Sequence, residues 1–528
     1  MSRSTPIVAS TVTVEIDDGL INGVGHDTHN SFLGIPFAQP PVGNLRFASP
    51  QPPTPWGQSA YDASFNRPDC LQDCQMPAGV CPNVTSEDCL YLDVYAPIQA
   101  DPSAGPLPVM IFYPGGRFTM GGIAPLYEGG NFVNRSSVIL VVTNYRLGVF
   151  GFMISPELKG NYGFEDQLLA LNWVHDNIKA FGGDPSQVTV FGESAGGTSA
   201  GIHLISPASA GLMKGIIIES DPLSLPVKTY DQMISLAEAF SKDLGCKIDD
   251  LNCMLGKTGE EIFIASNNTM NKVNILHPLF SFLPWTPVID GALIPDQPLA
   301  LIEKGQFNKV PVMLGTVFDE GLIFIASVAT QISALEYNGA LLDIFGRYAP
   351  QVHSHYKSSF NSSTGNYLDL MSLIGTDFVF QCPTRKVAVS LTAAGISDVY
   401  QYQFQHVSSF DAYTPNGFPM CKTHVCHGME LPYVFDSVRS TGQFNFTAEE
   451  QILSDQMVDY WTNFAKNSNP NIGNTPTIQW PAYTQSNDIT LVLQTPISVE
   501  SGLKKEFCDF WDSIGYEKFG SYDQDIFV

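Results

Sequence analysis

The chain predicts an α/β fold built on a large, mostly parallel sheet flanked by helices, and three observations carry that expectation. Short, continuous apolar runs recur at 107–113, 138–144, 188–191 and 215–218. Runs of this kind suit strands buried on both faces of a parallel sheet. Between two of them, Phe164, Leu168, Leu171, Val174, Ile178 and Phe181 recur at steps of three and four until Gly182-Gly183. That is an amphipathic helix with its stop. Third, the run at 188–191 leads straight into Gly192-Glu193-Ser194-Ala195-Gly196. A strand entering G-x-S-x-G and then a small-residue helix start is the form of a nucleophile elbow.

The first hundred residues read as β-rich: 11–16 alternates, Asp17-Asp18-Gly19 turns, and 20–24 returns. Further strands are expected at 310–314, 399–404 and 490–493, while 222–305 and 322–395 look mainly helical and irregular. No linker, repeat or low-complexity tract divides the chain, so one large domain over 1–528 is expected. Ligands in such folds sit at the carboxyl ends of the strands.

Composition narrows the function classes. With 52 acidic against 26 basic residues the net charge is −26, which excludes nucleic acid as a natural partner, because phosphate contacts need Lys and Arg. No apolar run approaches the roughly 18 residues of a membrane span. Ten cysteines and sequons at Asn83, Asn134, Asn267, Asn361 and Asn445 point to an oxidising, glycosylating compartment. Met1-Ser2-Arg3-Ser4-Thr5 lacks an apolar leader core, so the expectation is a secreted protein whose signal was removed or replaced. A cytosolic protein with ten thiols is the alternative.

The pentad alone is weak. With 45 glycines, G-x-S-x-G is expected on the order of 0.3 times by chance, and a second match stands at Gly197-Thr198-Ser199-Ala200-Gly201. Only Ser194 follows a strand; Ser199 would lie in the second turn of the helix. A serine nucleophile needs a base and an orienting acid, which in this architecture follow in the order Ser, Asp/Glu, His. Past the run at 310–314 come Asp319 and Glu320 before Gly321, and spacing does not choose between them. Of seven downstream histidines, His427 stands out, followed by glycine on a loop that Cys421 and Cys426 could fix; His424 is its neighbour and competitor. The same stretch could be read as a zinc site, but its ligand spacing is irregular. Pro114-Gly115-Gly116-Arg117 follows another strand end, where backbone N–H groups can meet a developing oxyanion alongside that of Ala195. Glu193, beside the nucleophile, and Ser220, past the run at 215–218, are candidate supporting residues, with a solvated Glu193 as the alternative.

Further segments make the chain recognisable. Gly34-Ile35-Pro36-Phe37-Ala38-Gln39-Pro40-Pro41 with Leu45-Arg46-Phe47, Ser86-Glu87-Asp88-Cys89-Leu90-Tyr91-Leu92 and Asn144-Tyr145-Arg146-Leu147-Gly148 occur in order. Asp166-Gln167, Phe181-Gly182-Gly183-Asp184-Pro185 and the elbow follow. Over nearly its whole length the chain resembles the type-B carboxylesterase family, which includes cholinesterases and fungal lipases. The resemblance implies an α/β-hydrolase fold, a triad of Ser194, Glu320 and His427, and oxyanion donors at Gly116, Arg117 and Ala195. It implies acyl transfer to and from a small-molecule ester, with no metal or organic cofactor. It also implies the bridges Cys70–Cys89, Cys246–Cys253 and Cys382–Cys508, which leaves Cys74 with Cys81 and Cys421 with Cys426.

The chain departs from that pattern in two places. Arg117 stands where the family has a third small residue. Its side chain either lines the pocket mouth and favours esters bearing an anionic group, or points away and pairs with an acid. The Cys70–Cys89 loop is short and lacks tryptophan, which favours a carboxylesterase acting on soluble or modest-sized esters. The alternatives are a lipase acting on longer-chain acylglycerols and a catalytically silent adhesion-type relative; relatives of the latter kind lose triad residues, and all three are present here.

Overall fold

Seven strands run parallel through the centre of the protein, and their apolar sequences explain why. The computed structural model describes residues 10–77, 79–98, 105–272, 282–359, 365–439, 444–474 and 476–516; the sequon at Asn361 lies outside them. A 13-stranded sheet is built from β1 (Ser10–Ile16), β2 (Gly19–Gly25), β3 (His29–Pro36), β4 (Gly57–Asp62), β5 (Tyr91–Pro97), β6 (Leu107–Tyr113) and β7 (Ile139–Thr143). It continues through β8 (Gly183–Glu193), β9 (Gly215–Glu219), β10 (Val312–Val317), β11 (Val399–Phe404), β12 (Ile489–Leu493) and β13 (Ser498–Ser501). The order is β1-β2-β3-β5-β7-β6-β8-β9-β10-β11-β12-β13, with β4 beside β2.

From β7 to β12 every neighbouring pair is parallel, and antiparallel strands close both edges. All residues of β7, β9, β10 and β11 are buried. Each fully buried Val, Leu or Ile there contributes about 1.5–3 kcal/mol relative to exposure. The strand expected at 310–314 lies two to three residues later, at Val312–Val317, because Pro311 offers no N–H to a ladder.

Helix α1 (Tyr162–Asn177) continues as a 3-10 turn over Ile178–Phe181 and stops where Gly182 takes a φ of 88°. Three further helices matter for the site: α2 (Ala195–Ile205), α3 (Glu320–Ala326) and α4 (Leu431–Val434). The carboxyl ends of β6, β8, β9, β10 and β11 lie along one edge, so the segments that leave them share one side of the sheet.

Five disulfides join Cys70–Cys89, Cys74–Cys81, Cys246–Cys253, Cys382–Cys508 and Cys421–Cys426. Among the described sequons Asn83, Asn134 and Asn445 are exposed and Asn267 is half-buried. No helix among the described residues is long and apolar enough to cross a membrane.

A buried ion pair braces the floor beneath this edge. Arg146, 2% exposed, follows β7 and meets Asp166 on α1 through Nη2–Oδ1 at 2.7 Å and Nε–Oδ2 at 2.8 Å. Asp166 Oδ2 also accepts the Arg146 backbone N–H, and Nη1 donates to the carbonyls of Arg46 and Ala48. The same loop reaches the glycine-rich turn through Gly148 N–H, which donates to the Phe118 carbonyl at 2.6 Å. Removing one partner strands the other charge in a dry interior. Asp166→Ala is therefore expected to cost about 3–5 kcal/mol in urea denaturation; a loss below about 1 kcal/mol, the size of an exposed pair, would contradict this account.

Candidate active site

Ser194 sits at φ 59° and ψ −121°, directly after β8 and before α2. A non-glycine residue in this region carries a strain of about 1–3 kcal/mol, tolerated only where the surroundings enforce it. Here the Ser194 N–H donates to the Glu219 carbonyl at 2.9 Å, and its own carbonyl accepts from Thr198 N–H at 2.8 Å. The flanking glycines are required by contact. A Cβ on Gly196 would lie 1.9 Å from the Tyr113 carbonyl oxygen, and one on Gly192 would lie 2.4 Å from that of Gly196. Ser199, in the second pentad, is committed inside α2: its hydroxyl donates to the Ala195 carbonyl and accepts from Gln167 Nε2.

The two acids after β10 divide their tasks. Glu320 opens α3 fully buried, accepts the Val317 N–H at 2.8 Å with Oε1, and accepts His427 Nδ1 with Oε2. Asp319 instead takes the backbone of the histidine loop: its N–H donates to the Val425 carbonyl at 3.0 Å and its Oδ2 accepts the Val425 N–H at 2.9 Å. Of the two acids that spacing left open, it is the Glu320 side chain that meets His427. The loop is held further by Cys421–Cys426 and by Tyr413, whose hydroxyl donates to the His427 carbonyl at 2.6 Å. Phe324 and Phe380 flank the imidazole. His424 turns back on its own loop, with Nδ1 2.9 Å from the Met420 carbonyl. With Cys421 and Cys426 bonded to each other, the alternative thiolate ligand set is not available.

Nδ1 being engaged, Nε2 of His427 is the nitrogen left for chemistry. It lies 3.1 Å from Glu193 Oε1. That contact lacks hydrogen-bond angles, and both atoms are buried without a hydrogen-bond partner among the described residues. Glu193 is 4% exposed rather than solvated. Burial first, then repulsion from Glu320 and Glu219, raises its pKa well above that of an ordinary carboxyl.

The glycine-rich turn packs against Ser194 from the β6 side. A Cβ on Gly115 would come within 3.0 Å of Ser194 Cβ. Gly116 takes φ 117°, and Arg117 and Phe118 follow at 60° and 59°, so the chain coils left-handed where most L residues resist. Ala195 N–H is the first of α2, where by position no intrahelical acceptor exists. Arg117 is among the residues lining the cavity, and its side chain runs to Phe282, with Nε donating to the Phe282 carbonyl at 2.7 Å and the guanidinium over the Phe282 ring.

Ser194, His427, Glu193, Gly116 and Arg117 line one cavity of about 930 Å³ counted out to its mouth. Its walls are mostly apolar, with Phe324, Phe410, Leu431 and Phe444 among them. From the nested loop closed by Cys74–Cys81, Met76, Pro77 and Val80 line the same cavity.

Behind the elbow lie acids that the sequence reading missed. Glu219, the last residue of β9, is wholly buried and accepts Trp461 Nε1 at 2.6 Å; burial raises its pKa to about 8. Glu430, one turn past His427, accepts the Ser220 hydroxyl at 3.3 Å. Its pKa is also raised by burial and by the neighbouring Glu193, Glu320 and Glu219. Ser220 itself sits at φ 49° with its N–H on the Gly315 carbonyl. A charged residue closing an otherwise apolar strand, as in Gly215-Ile216-Ile217-Ile218-Glu219, was the available signal for Glu219.

A model of the carboxylesterase family matches residues 10–511. The chain is 38% identical to the crystal protein of Dictyostelium discoideum over 514 residues, which cover 96% of this chain and 92% of that one. It is 34% identical to carboxylesterase 5A of Felis catus over 510 residues, covering 91% and 89%. Among solved structures it superimposes on a thermophilic PNB esterase with a TM-score of 0.80 at 31% identity, over 94% of this chain and 99% of that one. By sequence and by fold alike, the chain belongs to the carboxylesterase family and has its α/β-hydrolase fold.

Proposed function

We propose that the protein is a serine carboxylic-ester hydrolase that works through an acyl-enzyme on soluble, modest-sized esters. The observation that carries this reading is the meeting of a strained Ser194, a Glu320-bound His427 and a glycine-rich turn on one cavity. His427 Nε2 takes the Ser194 proton as Oγ adds to the ester carbonyl. The developing oxyanion meets the N–H groups of Gly116, Arg117 and Ala195, each such donor being worth about 2.7–4 kcal/mol in the transition state. The imidazolium, held by Glu320, then protonates the leaving alcohol. Water, deprotonated by the same nitrogen, releases the acid. No step in this sequence calls on a cofactor.

Substrate size is read from one wall of the cavity. A loop closed by Cys74–Cys81 inside the Cys70–Cys89 loop carries Met76, Pro77 and Val80, and two nested covalent closures leave such a loop little freedom to swing open. That supports esters that enter from solution. The five disulfides and exposed sequons support passage through an oxidising, secretory compartment.

The acids behind the elbow give the site a pH signature in stability. In the folded state Glu219 holds its proton to about pH 8, against an ordinary 4.5. Between those values the unfolded chain has released a proton that the folded chain keeps. The contribution is therefore complete below the lower value and lost as pH rises toward the upper one.

Three outcomes are expected. With p-nitrophenyl acetate, Ser194→Ala loses at least about 10³-fold in kcat and Glu320→Gln about 10³–10⁴-fold, while Asp319→Asn changes activity far less and acts mainly on stability; an unchanged rate in Ser194→Ala refutes the nucleophile. Initial rates on a triglyceride rise smoothly through its solubility limit, and a jump there would instead indicate a lipase. Finally, urea denaturation at pH 5 and at pH 8 shows a smaller stability loss in Glu219→Gln than in wild type, and equal losses would sink the assignment of Glu219 as a buried neutral acid.

A further inference from the structure

A helix interrupted by one wide turn backs the Glu320–His427 pair. Residues 368–393 form a continuous right-handed run: an α-helix over Leu368–Gly375, a π-helical turn over Thr376–Gln381 and an α-helix over Cys382–Ala393. Pro383, at the start of the last piece, supplies the cause. It has no N–H to give the Val379 carbonyl, and in an unbroken α-helix its ring would press on that carbonyl. A wider turn relieves both, and turns of this kind are rare and gather at functional sites.

The turn changes which side chains face Glu320. Residues five apart in an α-helix point about 140° from one another, whereas bonding from i to i+5 brings them to one side. Thr376 and Gln381, five apart, both meet the segment that carries Glu320. Gln381 Oε1 accepts the Thr316 hydroxyl at 2.5 Å and Gln403 Nε2 at 2.7 Å. Thr316 precedes Val317, whose N–H binds Glu320 Oε1. Thr376 Oγ1 accepts the Gly321 N–H at 2.9 Å. Between them Phe380 sets its ring 5.3 Å from that of His427. All three side chains are buried.

The bond to Gly321 fills a defined gap. The first N–H groups of a helix find no acceptor within it, and the N-cap side chain ordinarily serves one of them. At α3 the N-cap residue is Asp319, which makes no such bond; its carboxylate is turned to the Val425 N–H of the histidine loop. Thr376 thus caps α3 from a neighbouring helix. Gly321 permits the approach, since a Cβ there would lie 2.6 Å from the Ser372 carbonyl oxygen and 3.0 Å from Thr376 N. From behind, the turn is anchored at buried Asp377, which accepts the Tyr356 hydroxyl at 3.0 Å and pairs with Lys504 at 3.2 Å. Its far end is tied down by Cys382–Cys508.

We propose that Thr376 is a positioning residue for ester hydrolysis: held on the π-turn, its hydroxyl fixes the start of α3 and so the direction from which Glu320 holds the His427 ring. This role presupposes the triad proposed above.

Thr376→Val keeps the size of the side chain and removes the acceptor. With p-nitrophenyl acetate it is expected to lower kcat about ten- to a hundredfold, the scale of a small misplacement of a catalytic group, and to leave KM within about twofold of wild type. Thr376→Ser, which keeps the hydroxyl, is expected to restore most of kcat. Amide hydrogen exchange at Gly321 needs no turnover; it is expected to speed about tenfold in Thr376→Val and to stay near the wild-type rate in Thr376→Ser. Should Thr376→Val fail to unfold cooperatively in urea, Thr376→Ala, which helix propensity favours, takes its place with the same expectations. An unchanged kcat, a raised KM with kcat kept, Thr376→Ser no better than Thr376→Val, or unaltered exchange at Gly321 would each overturn the role. The two levels separate cleanly: an unchanged rate in Ser194→Ala brings down the triad and this role with it, whereas full kcat in Thr376→Val beside an inactive Ser194→Ala overturns Thr376 alone.

Discussion

Much of this structure depends on one close approach, that of the Gly196 backbone to the carbonyl of Tyr113. It requires β6 and β8 to be neighbours in register, with Gly192 opposite Tyr113, and it requires a residue without Cβ at the start of α2. Given that approach, the serine between the two glycines has one conformation open to it, in a region that L residues avoid. The turn after β6 then lies against the same serine because Gly115 leaves no Cβ in the way. The placement of Ser194 and of the turn that packs on it is therefore set by backbone packing before any side chain is placed.

How much of this was legible in the sequence follows from the range of the interactions involved. Strands buried on both faces leave continuous apolar runs, so β6, β7, β9 and β11 could be read almost to the residue, whereas only the apolar core of β8, 188–191, was visible and its start at Gly183 was not. Ser194 was readable because a strand, a glycine and a helix start sit within ten residues of it. The choice between Asp319 and Glu320 was not readable from spacing, since it depends on which side chain meets a histidine 107 positions away; a family resemblance supplied it. Glu219 and Glu430 stayed hidden for a related reason. Their meaning comes from three-dimensional convergence behind the elbow, and a lone acid at a strand end or helix start reads as solvated.

Those acids change the electrostatic picture of a strongly acidic protein. A net charge of −26 suggests a negative interior beside the site, yet burial holds Glu193, Glu219 and Glu430 toward their neutral forms. Dense packing of carboxyls around His427 is tolerable because few of them need be ionised together.

The loop that carries Met76, Pro77 and Val80 is stitched shut at its base and again within its span. A cavity wall tied down twice in this way has little backbone to give, so its shape at that place is set by the three side chains it carries, and substituting them alters the space beside Ser194 without disturbing the turn on which Ser194 sits.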